Sequence, residues 1–458
     1  MSMFENNKIN KNMNTNEEYF ESRVDMSAPS LSVDEFLADE QTRESSTNRR
    51  DFLKFLGFSV AAATLAACEA PVTKAIPYVV KPEDVTPGKA NWYASNYYDG
   101  NTFASIMVKT REGRPIHIKG NKDFGYGGGG ISPEVAASVL SLYDSERLKN
   151  PLANGVESKW SDIDGEIIKG LKSASQVTII SDTIISPSTQ AIIDSFGEKF
   201  ANVEHIQYDA VSYAGIRNAN LTAFGKSAIP TYDFTKAKTI VSVGADFLNG
   251  WLLSNVYRVE YAQNRKPENG WMSKHFQFEA NMSVAGANAD ERLMVKPSQY
   301  PAILAAIADS VGASALGVSA GEFKDHALVR AAAKSLNENR GSSLLICGSN
   351  DEALQLLVNS INHKLGNYAS TINLNNEINM FKSDDKKMDK FVNDAISGKV
   401  KGAVIFYGSN PVYTHPRGKE LGEALSKINL TVSTASWNDE TASKCKFVAP
   451  DHHGLESW

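Results

Sequence analysis

Four short segments of this chain are almost entirely apolar, and turns or helical patterns separate them. They span residues 177–181, 239–244, 343–347 and 402–407. A strand that is apolar on both faces is typical of a parallel sheet covered by helices on both sides. Helical patterns begin after Ser186 and over 352–365, so strands and helices alternate along the chain. The pattern therefore predicts an α/β fold with parallel sheets flanked by helices.

Three of these strands are followed by a glycine and an Asx residue, at Gly244-Ala245-Asp246, Gly348-Ser349-Asn350 and Gly408-Ser409-Asn410-Pro411. Such a turn often has only a structural role. Ligands of parallel sheets, however, bind at the carboxyl ends of strands, so three such turns favour a nucleotide-type pocket, present or ancestral. Neither GxGxxG nor GxxxxGK[ST] occurs, so no dinucleotide or P-loop motif supports it.

Residues 103–120 alternate apolar and polar residues on either side of Arg-Glu-Gly-Arg, which predicts a β-hairpin. Four glycines follow at 127–130, and residues 133–143 have small and apolar residues at helical spacing. The sequence thus predicts a small β-rich region ahead of the α/β part.

An export-signal pattern begins almost fifty residues into the chain. Arg49 and Arg50 precede Phe52, Leu53 and Lys54, and an apolar run continues to residue 67. That run is shorter than the roughly 20 residues needed to span a bilayer. The segment resembles a twin-arginine signal, whose pattern is Arg-Arg-x-Phe-Leu-Lys. The alternative, a buried amphipathic helix, is disfavoured because the apolar run has no polar face. The resemblance implies export in the folded state.

The same run ends in Leu-Ala-Ala before Cys68, and this ending resembles a lipobox. The resemblance implies that the Cys68 thiol carries diacylglycerol and that its acyl chains hold the protein at a membrane. Residues 1–67 are therefore interpreted as an extended, largely disordered leader with a signal, and the proline-rich residues 68–90 as a tether.

Charge and cysteine content restrict the function further. Residues 1–48 carry ten acids and four bases and so hold the whole net charge of −6. The remaining chain has no basic stripe, which argues against nucleic-acid binding. The three cysteines form no CxxC pair, so this chain alone has too few cysteines for a four-cysteine cluster. Cys347 and Cys445 lie in apolar settings, which favours buried free thiols over a disulfide.

Several segments, taken in order, resemble the molybdopterin oxidoreductase superfamily over most of residues 92–458. They are FASIMVKTREGRPIHIKGN, YDSERLKNPL, TIVSVGADFLNGW, SVAGANADERLMVKPSQY, GAVIFYGSNPV and CKFVAPDHHGLESW. In that family the two strand–turn elements cradle a pterin dinucleotide. The resemblance therefore implies that Gly244, Asp246, Gly408 and Asn410 are contacts of a vestigial pterin pocket.

The departures from the family are as informative as the matches. Residues 91–130 contain no cysteine, and the glycine run stands where the last cluster ligand is expected. The segment 208–221, where a metal ligand is expected, also lacks cysteine, and neither Ser212 nor Asn220 is nominated in its place. His452 and His453 are interpreted as loop residues rather than metal ligands. Residues 91–458 are thus predicted to contain no catalytic residue, metal or cofactor.

The chain resembles the large iron–sulfur subunits of bacterial alternative complex III, a quinol-oxidising respiratory assembly. The resemblance lies in the acidic leader, the late export signal, the lipobox and the region 91–458 without cofactor ligands. The resemblance implies an electron-transfer subunit on the periplasmic face of the cytoplasmic membrane. It also implies a quinol-binding membrane subunit and cytochrome c-type subunits as partners. Because the sequence stops at Trp458 within a family motif, it is expected to be truncated, with the iron–sulfur clusters further along.

Two other functions remain open from the sequence. An active molybdopterin-dependent oxidoreductase would ligate its metal through serine or aspartate. A lipid-anchored solute-binding protein would also combine an α/β fold with a lipobox, although such proteins rarely need a twin-arginine signal or an acidic leader.

Overall fold

The computed structural model describes residues 85–200 and 202–456, which belong to the unit Lys81–Trp458. The leader, the twin-arginine residues and Cys68 lie outside the described residues, so the statements about them stay predictions.

The described chain begins with an antiparallel three-stranded sheet in the order β1-β2-β3. Its strands are β1 (Ala90–Tyr98), β2 (Phe103–Arg111) and β3 (Arg114–Gly120). Glu112 and Gly113 have φ of 53° and 79° and form the turn between β2 and β3. The predicted hairpin is confirmed, as is the small β-rich region.

One face of this sheet is covered by a short helical segment. The α-helix α1 (Pro133–Ala137) begins after Ser132, whose hydroxyl accepts the Val135 N–H, and a 3₁₀ helix continues over Ser138–Tyr143. Val135 and Val139 pack with Ile106 and Val108 of β2 in a small apolar core. The predicted helix over 133–143 is therefore present, but it tightens to 3₁₀ geometry in its second half.

The remaining strands and helices alternate along the chain. The strands are β4 (Leu152–Ala153), β5 (Val156–Glu157), β6 (Val177–Ser181), β7 (Val203–Gln207), β8 (Pro230–Tyr232), β9 (Thr239–Val243), β10 (Lys274–Glu279), β11 (Glu291–Met294), β12 (Ser343–Cys347), β13 (Ile372–Glu377), β14 (Ala403–Tyr407), β15 (Leu430–Ser433) and β16 (Phe447–Val448). The α-helices are α2 (Trp160–Ser173), α3 (Pro187–Lys199), α4 (Ala214–Phe224), α5 (Ser254–Gln263), α6 (Val284–Ala287), α7 (Tyr300–Val311), α8 (Ala327–Glu338), α9 (Glu352–Leu365), α10 (Asp385–Ile396), α11 (Pro411–Thr414) and α12 (Gly418–Leu425).

Apart from β8 and β13, which pair with each other as a two-stranded antiparallel sheet, these strands form two separate, mainly parallel sheets. A seven-stranded sheet has the order β5-β4-β16-β15-β14-β6-β7, and a four-stranded sheet has the order β11-β10-β9-β12. The four-stranded sheet is wholly parallel, whereas β4 and β5 add an antiparallel edge to the other sheet. The residues of the four-stranded sheet lie in sequence between the two halves of the seven-stranded one. The α/β fold with parallel sheets flanked by helices is confirmed.

Every residue of β6, β9 and β12 is buried, which is why these strands read as continuous apolar runs. The larger core packs α7, α8 and α9 against one face of the four-stranded sheet, with Ile303, Val329 and Leu357 fully buried. Cys347 and Cys445 are both free and buried, so the predicted thiols are confirmed and no disulfide joins them. Within the described ranges, no helix has the length and apolar character that crossing a membrane requires.

Candidate cofactor-binding ends of the two sheets

The turns after β9 and β12 are packed backbone against backbone. Gly244 has φ of 68°, and its N–H donates to the Phe278 carbonyl at 2.8 Å. A Cβ on Gly244 would lie 2.7 Å from the Tyr300 ring, and a Cβ on Gly348 would lie only 2.1 Å from the Gly244 carbonyl oxygen. Both glycines are therefore required by close packing between neighbouring strand ends.

Asp246 fixes the position of helix α6. Its Oδ1 accepts the Ala285 N–H at 2.9 Å, and its backbone carbonyl accepts the N–H groups of Asn249 and Trp251. Burial raises the pKa of Asp246, although hydrogen bonds from the helix amides oppose that change. At least one carboxylate oxygen of Asp246 is thus already engaged within the protein.

Asn410 has an equivalent role at the end of β14. Its Oδ1 accepts the Thr441 N–H at 3.1 Å and the Thr441 hydroxyl at 2.7 Å, and its Nδ2 donates to Glu440 at 2.8 Å. Gly408 has φ of 63° and open space where a side chain would project. The structure therefore places Gly244 and Asp246 on the four-stranded sheet and Gly408 and Asn410 on the seven-stranded one, each pair at a carboxyl end.

Strand β10 carries a row of buried polar side chains that was not predicted from the sequence. His275, Gln277 and Glu279 follow each other at 3.1 and 3.0 Å, and Arg292 Nε donates to Glu279 at 2.6 Å. Burial lowers the pKa of His275 to about 4. Burial opposes ionisation of Glu279 as well, but hydrogen bonds from Arg292 and Ser283 hold its pKa below the usual range. The sequence signal for this row is the alternation His-Phe-Gln-Phe-Glu within β10.

Two aspartates at the ends of β6 and β7, the half-buried Asp182 and the buried Asp209, were also not predicted from the sequence. Asp209 accepts the Thr183 N–H at 2.8 Å, the Thr183 hydroxyl at 2.7 Å and the Ser383 N–H at 3.1 Å. Burial, reinforced by the charges of Asp209 and Asp99, raises the pKa of Asp182 to about 8.

These carboxyl ends are a poor fit for a pterin dinucleotide. Its pyrophosphate is anionic, and phosphate sites are built from free N–H groups and cations. The carboxyl ends of the two sheets carry instead Asp246 and Glu279 on one, and Asp182 and Asp209 on the other. The Oδ1 of Asn410 accepts two hydrogen bonds from Thr441, and its Nδ2 donates one to Glu440.

The glycine run 127–130 likewise leaves no space for a cluster ligand. A Cβ on Gly130 would lie 2.1 Å from the Asn255 carbonyl oxygen, and a Cβ on Gly128 would lie 2.8 Å from Val259. The run lies flush against helix α5. A cysteine side chain there would collide with the helix, so the residues present do not fit an iron–sulfur cluster at this place.

The other residues considered from the sequence have structural partners. Ser212 donates to Asp385 at 2.6 Å, and the side-chain amide of Asn220 bonds Ala228 and Asn359. Among the described residues no group of three or more His, Cys, Asp or Glu side chains is arranged to hold a metal ion.

Near the C-terminal end of the described chain, the His452 side chain is exposed. His453 Nε2 lies 2.9 Å from the Ser141 hydroxyl. Glu456 forms an ion pair with Arg147 at 2.6 Å. These contacts attach the segment around 451–456 to the helical segment 133–143 and its following loop.

Comparisons with known proteins point in one direction. No family model matches the chain. It is 23% identical over 89% of its length to the menaquinone reductase molybdopterin-binding-like subunit of Nitratidesulfovibrio vulgaris, and it spans 66% of that protein. It is 20% identical over 48% of its length to the molybdopterin-containing subunit of an arsenate respiratory reductase from a Shewanella species, spanning 27% of that protein.

Among solved structures, acetylene hydratase from Pelobacter acetylenicus matches with a TM-score of 0.54 at 11% identity, over 77% of this chain and 61% of that one. The chain thus spans less than two thirds of the length of these proteins. Its fold resembles that of acetylene hydratase over 77% of the chain, and 89% of its sequence aligns with a molybdopterin-binding-like subunit. The chain is therefore similar in fold to acetylene hydratase and similar in sequence to a molybdopterin-binding-like subunit.

Proposed function

We propose that this chain is the molybdopterin oxidoreductase-like part of an electron-transfer subunit in a membrane-bound, quinol-oxidising respiratory complex of the alternative complex III type. In this proposal residues 91–458 are a structural and docking module without a cofactor. Iron–sulfur clusters carried elsewhere in the subunit transfer the electrons.

The observation that carries the proposal is the way the side chains at both strand ends are used. Asn410 is satisfied by Thr441 and Glu440, Asp246 holds helix α6, and the glycine run lies against α5. Residues that would otherwise hold a cofactor instead hold the fold together. The name of the Nitratidesulfovibrio relative, a molybdopterin-binding-like subunit of a menaquinone reductase, supports both the respiratory role and the quinone link.

The location and partners belong to the same proposal. Export by the twin-arginine route and a lipid on Cys68 would hold the subunit at the periplasmic face of the cytoplasmic membrane. A quinol-binding membrane subunit would supply electrons, and cytochrome c-type subunits would receive them.

The test is metal and pterin analysis of the chain purified from a bacterium that makes molybdopterin cofactors, alongside a molybdopterin enzyme produced in the same cells. We expect substoichiometric molybdenum and tungsten and no pterin fluorescence after oxidation, while the control enzyme contains both. Stoichiometric metal with pterin would overturn the cofactor-less assignment. Mild detergent extraction should also co-purify c-type haem and quinol oxidation with the tagged chain.

The second candidate is an active molybdopterin-dependent oxidoreductase, which the similarity to the arsenate respiratory reductase subunit favours. The open space beside Gly408 is the one feature at these strand ends that agrees with it. The metal analysis separates the two candidates directly.

A further inference from the structure

The chain enters the described fold beside the turn between β2 and β3. The Gly88 N–H donates to Glu112 Oε1 at 3.1 Å, and Ala90 at the start of β1 pairs with Arg111 at the end of β2. The described residues therefore begin at this end of the three-stranded sheet. Cys68 is twenty residues upstream of Gly88 in the sequence.

An aromatic ring surrounded by basic side chains lies on the outer face of the same sheet. Trp92 is 38% exposed, and Lys119 Nζ lies 4.1 Å from the centre of its ring. Lys109 Nζ lies 5.9 Å from the same ring, and the His117 ring meets it edge-on at 6.1 Å. We name these four residues the Trp92 cluster.

The cluster lies on the face opposite the apolar core of the sheet. Strand pairing places Trp92, Lys109 and His117 side by side across β1, β2 and β3, whereas the neighbouring Val108 points into the core with Ile118. The cluster is thus an outward-facing surface, and no described helix covers it as α1 covers the other face.

The adjoining turn adds further positive charge and apolar surface. Lys89, Arg111 and Arg114 are exposed, and the Ile116 side chain is 48% exposed. The acidic residue of the turn, Glu112, is engaged with the Gly88 N–H. This end of the sheet consequently presents cations and apolar side chains together.

We propose that the Trp92 cluster and the β2–β3 turn bind the head-group layer of an anionic lipid bilayer. Tryptophan is favoured at the membrane–water interface, where its ring lies among head groups and its apolar face is partly buried. Each lysine near an anionic surface contributes about 1 kcal/mol of attraction. The two requirements, an interfacial aromatic ring and flanking cations, meet in one cluster.

The biological setting of this contact rests on the lipid anchor at Cys68 given under the proposed function. Twenty extended residues reach at most about 70 Å, so an anchored Cys68 keeps the turn within reach of the membrane. The diacylglycerol expected on Cys68 has two acyl chains and anchors the chain by itself, so the basic surface would add an electrostatic contact that holds this end of the sheet against the bilayer.

The experiment uses the full chain with Cys68→Ser, so that binding to vesicles reports the surface and not the lipid. Sedimentation with phosphatidylcholine vesicles is compared with sedimentation of vesicles that also contain phosphatidylglycerol. We expect binding only with the anionic lipid, weakened by salt. Lys109→Gln with Lys119→Gln should weaken it roughly fivefold per lysine, from about 1 kcal/mol each.

Matched controls are Lys169→Gln with Lys172→Gln, and Trp160→Ala, which alter exposed residues of the same types on α2. Trp92→Ala should weaken binding, whereas Trp160→Ala should not. Circular dichroism confirms that each variant folds. Equal binding to both vesicle types, or equal effects of the two lysine pairs, would overturn the proposal. Palmitate labelling of the unmodified chain tests the anchor separately, so the two failures are distinguishable.

Discussion

Asp209 Oδ2 accepts a hydrogen bond from the Thr183 hydroxyl at 2.7 Å, and this contact joins the carboxyl ends of β6 and β7. The other carboxylate oxygen accepts the Thr183 N–H, and Oδ2 also accepts the Ser383 N–H from the loop before α10. One buried side chain therefore fastens three segments that are far apart in sequence. Internal hydrogen bonds thus join the carboxyl ends of β6 and β7 to the loop before α10.

Asp209→Ala should destabilise the protein by about 2–4 kcal/mol, because each buried donor left without an acceptor costs about 1–3 kcal/mol. Urea unfolding measures the change. Asp209→Asn, which keeps one acceptor, should cost less, and the exposed Asp164→Ala should change the free energy of unfolding by no more than about 0.5 kcal/mol. Equal stability of the alanine variants would contradict the structural role of Asp209.

Gly130→Ala should destabilise the protein by about 1–3 kcal/mol, because its Cβ would lie 2.1 Å from the Asn255 carbonyl oxygen. Gly197→Ala is the control: Gly197 lies inside α3 with no atom within 4 Å of a built Cβ. That substitution should stabilise by up to about 1 kcal/mol, since alanine favours a helix more than glycine does. Thermal or urea unfolding of both variants checks the opposite signs. If Gly130→Ala is as stable as the parent, the glycine run does not lie flush on α5.

Asp182 gives the stability a pH dependence of definite sign. Its folded pKa of about 8 lies above the unfolded value, so the folded state keeps a proton that the unfolded state loses. The stability that the folded protein gains from protonated Asp182 is fully present below about pH 4. It falls as the pH rises and is lost above about pH 8. Asp182→Asn should therefore exceed the parent in stability at pH 9 by at least about 1 kcal/mol, with a smaller difference at pH 5. Urea unfolding at both pH values is the measurement, and exposed Asp309→Asn is the control. A difference that does not change with pH would contradict this prediction.

Cys347 and Cys445 should resist thiol reagents in the folded protein. Burial raises the pKa of both thiols to about 12, so little thiolate forms at neutral pH. With Cys68→Ser removing the third cysteine, a disulfide-forming chromogenic reagent should find no reactive thiol in the native chain and two in guanidinium chloride. Rapid native labelling would show that the burial is wrong, and no thiol in unreduced, denatured protein would indicate a disulfide.

Export and lipidation are predictions from the sequence alone. Arg49→Lys with Arg50→Lys should retain the chain in the cytoplasm, and Cys68→Ser should abolish palmitate labelling without blocking export. Cell fractionation and radiolabelling measure both. Palmitate labelling that persists in the Cys68→Ser variant would disprove the anchor. Substitution of exposed Lys364 should affect neither result.

The sequence determined the fold class because fully buried strands leave a direct trace. The predicted strand at 343–347 and the helix at 352–365 coincide with β12 and α9, and the predicted hairpin coincides with β2 and β3. Burial on both faces requires continuous apolar residues, and a tight turn requires glycine, so both features can be read locally.

Only the tertiary structure divided the strands between two sheets and assigned partners to the polar residues. Gly244 and Gly408 look alike in sequence, yet Gly244 is packed against Tyr300 whereas Gly408 faces open space. Asn410 accepts a hydrogen bond from Thr441, thirty-one residues later in the sequence, and Asp209 accepts one from Ser383, 174 residues away. Such contacts depend on which distant segments fold together, so no local pattern predicts whether a strand-end side chain is free for a ligand or engaged within the protein.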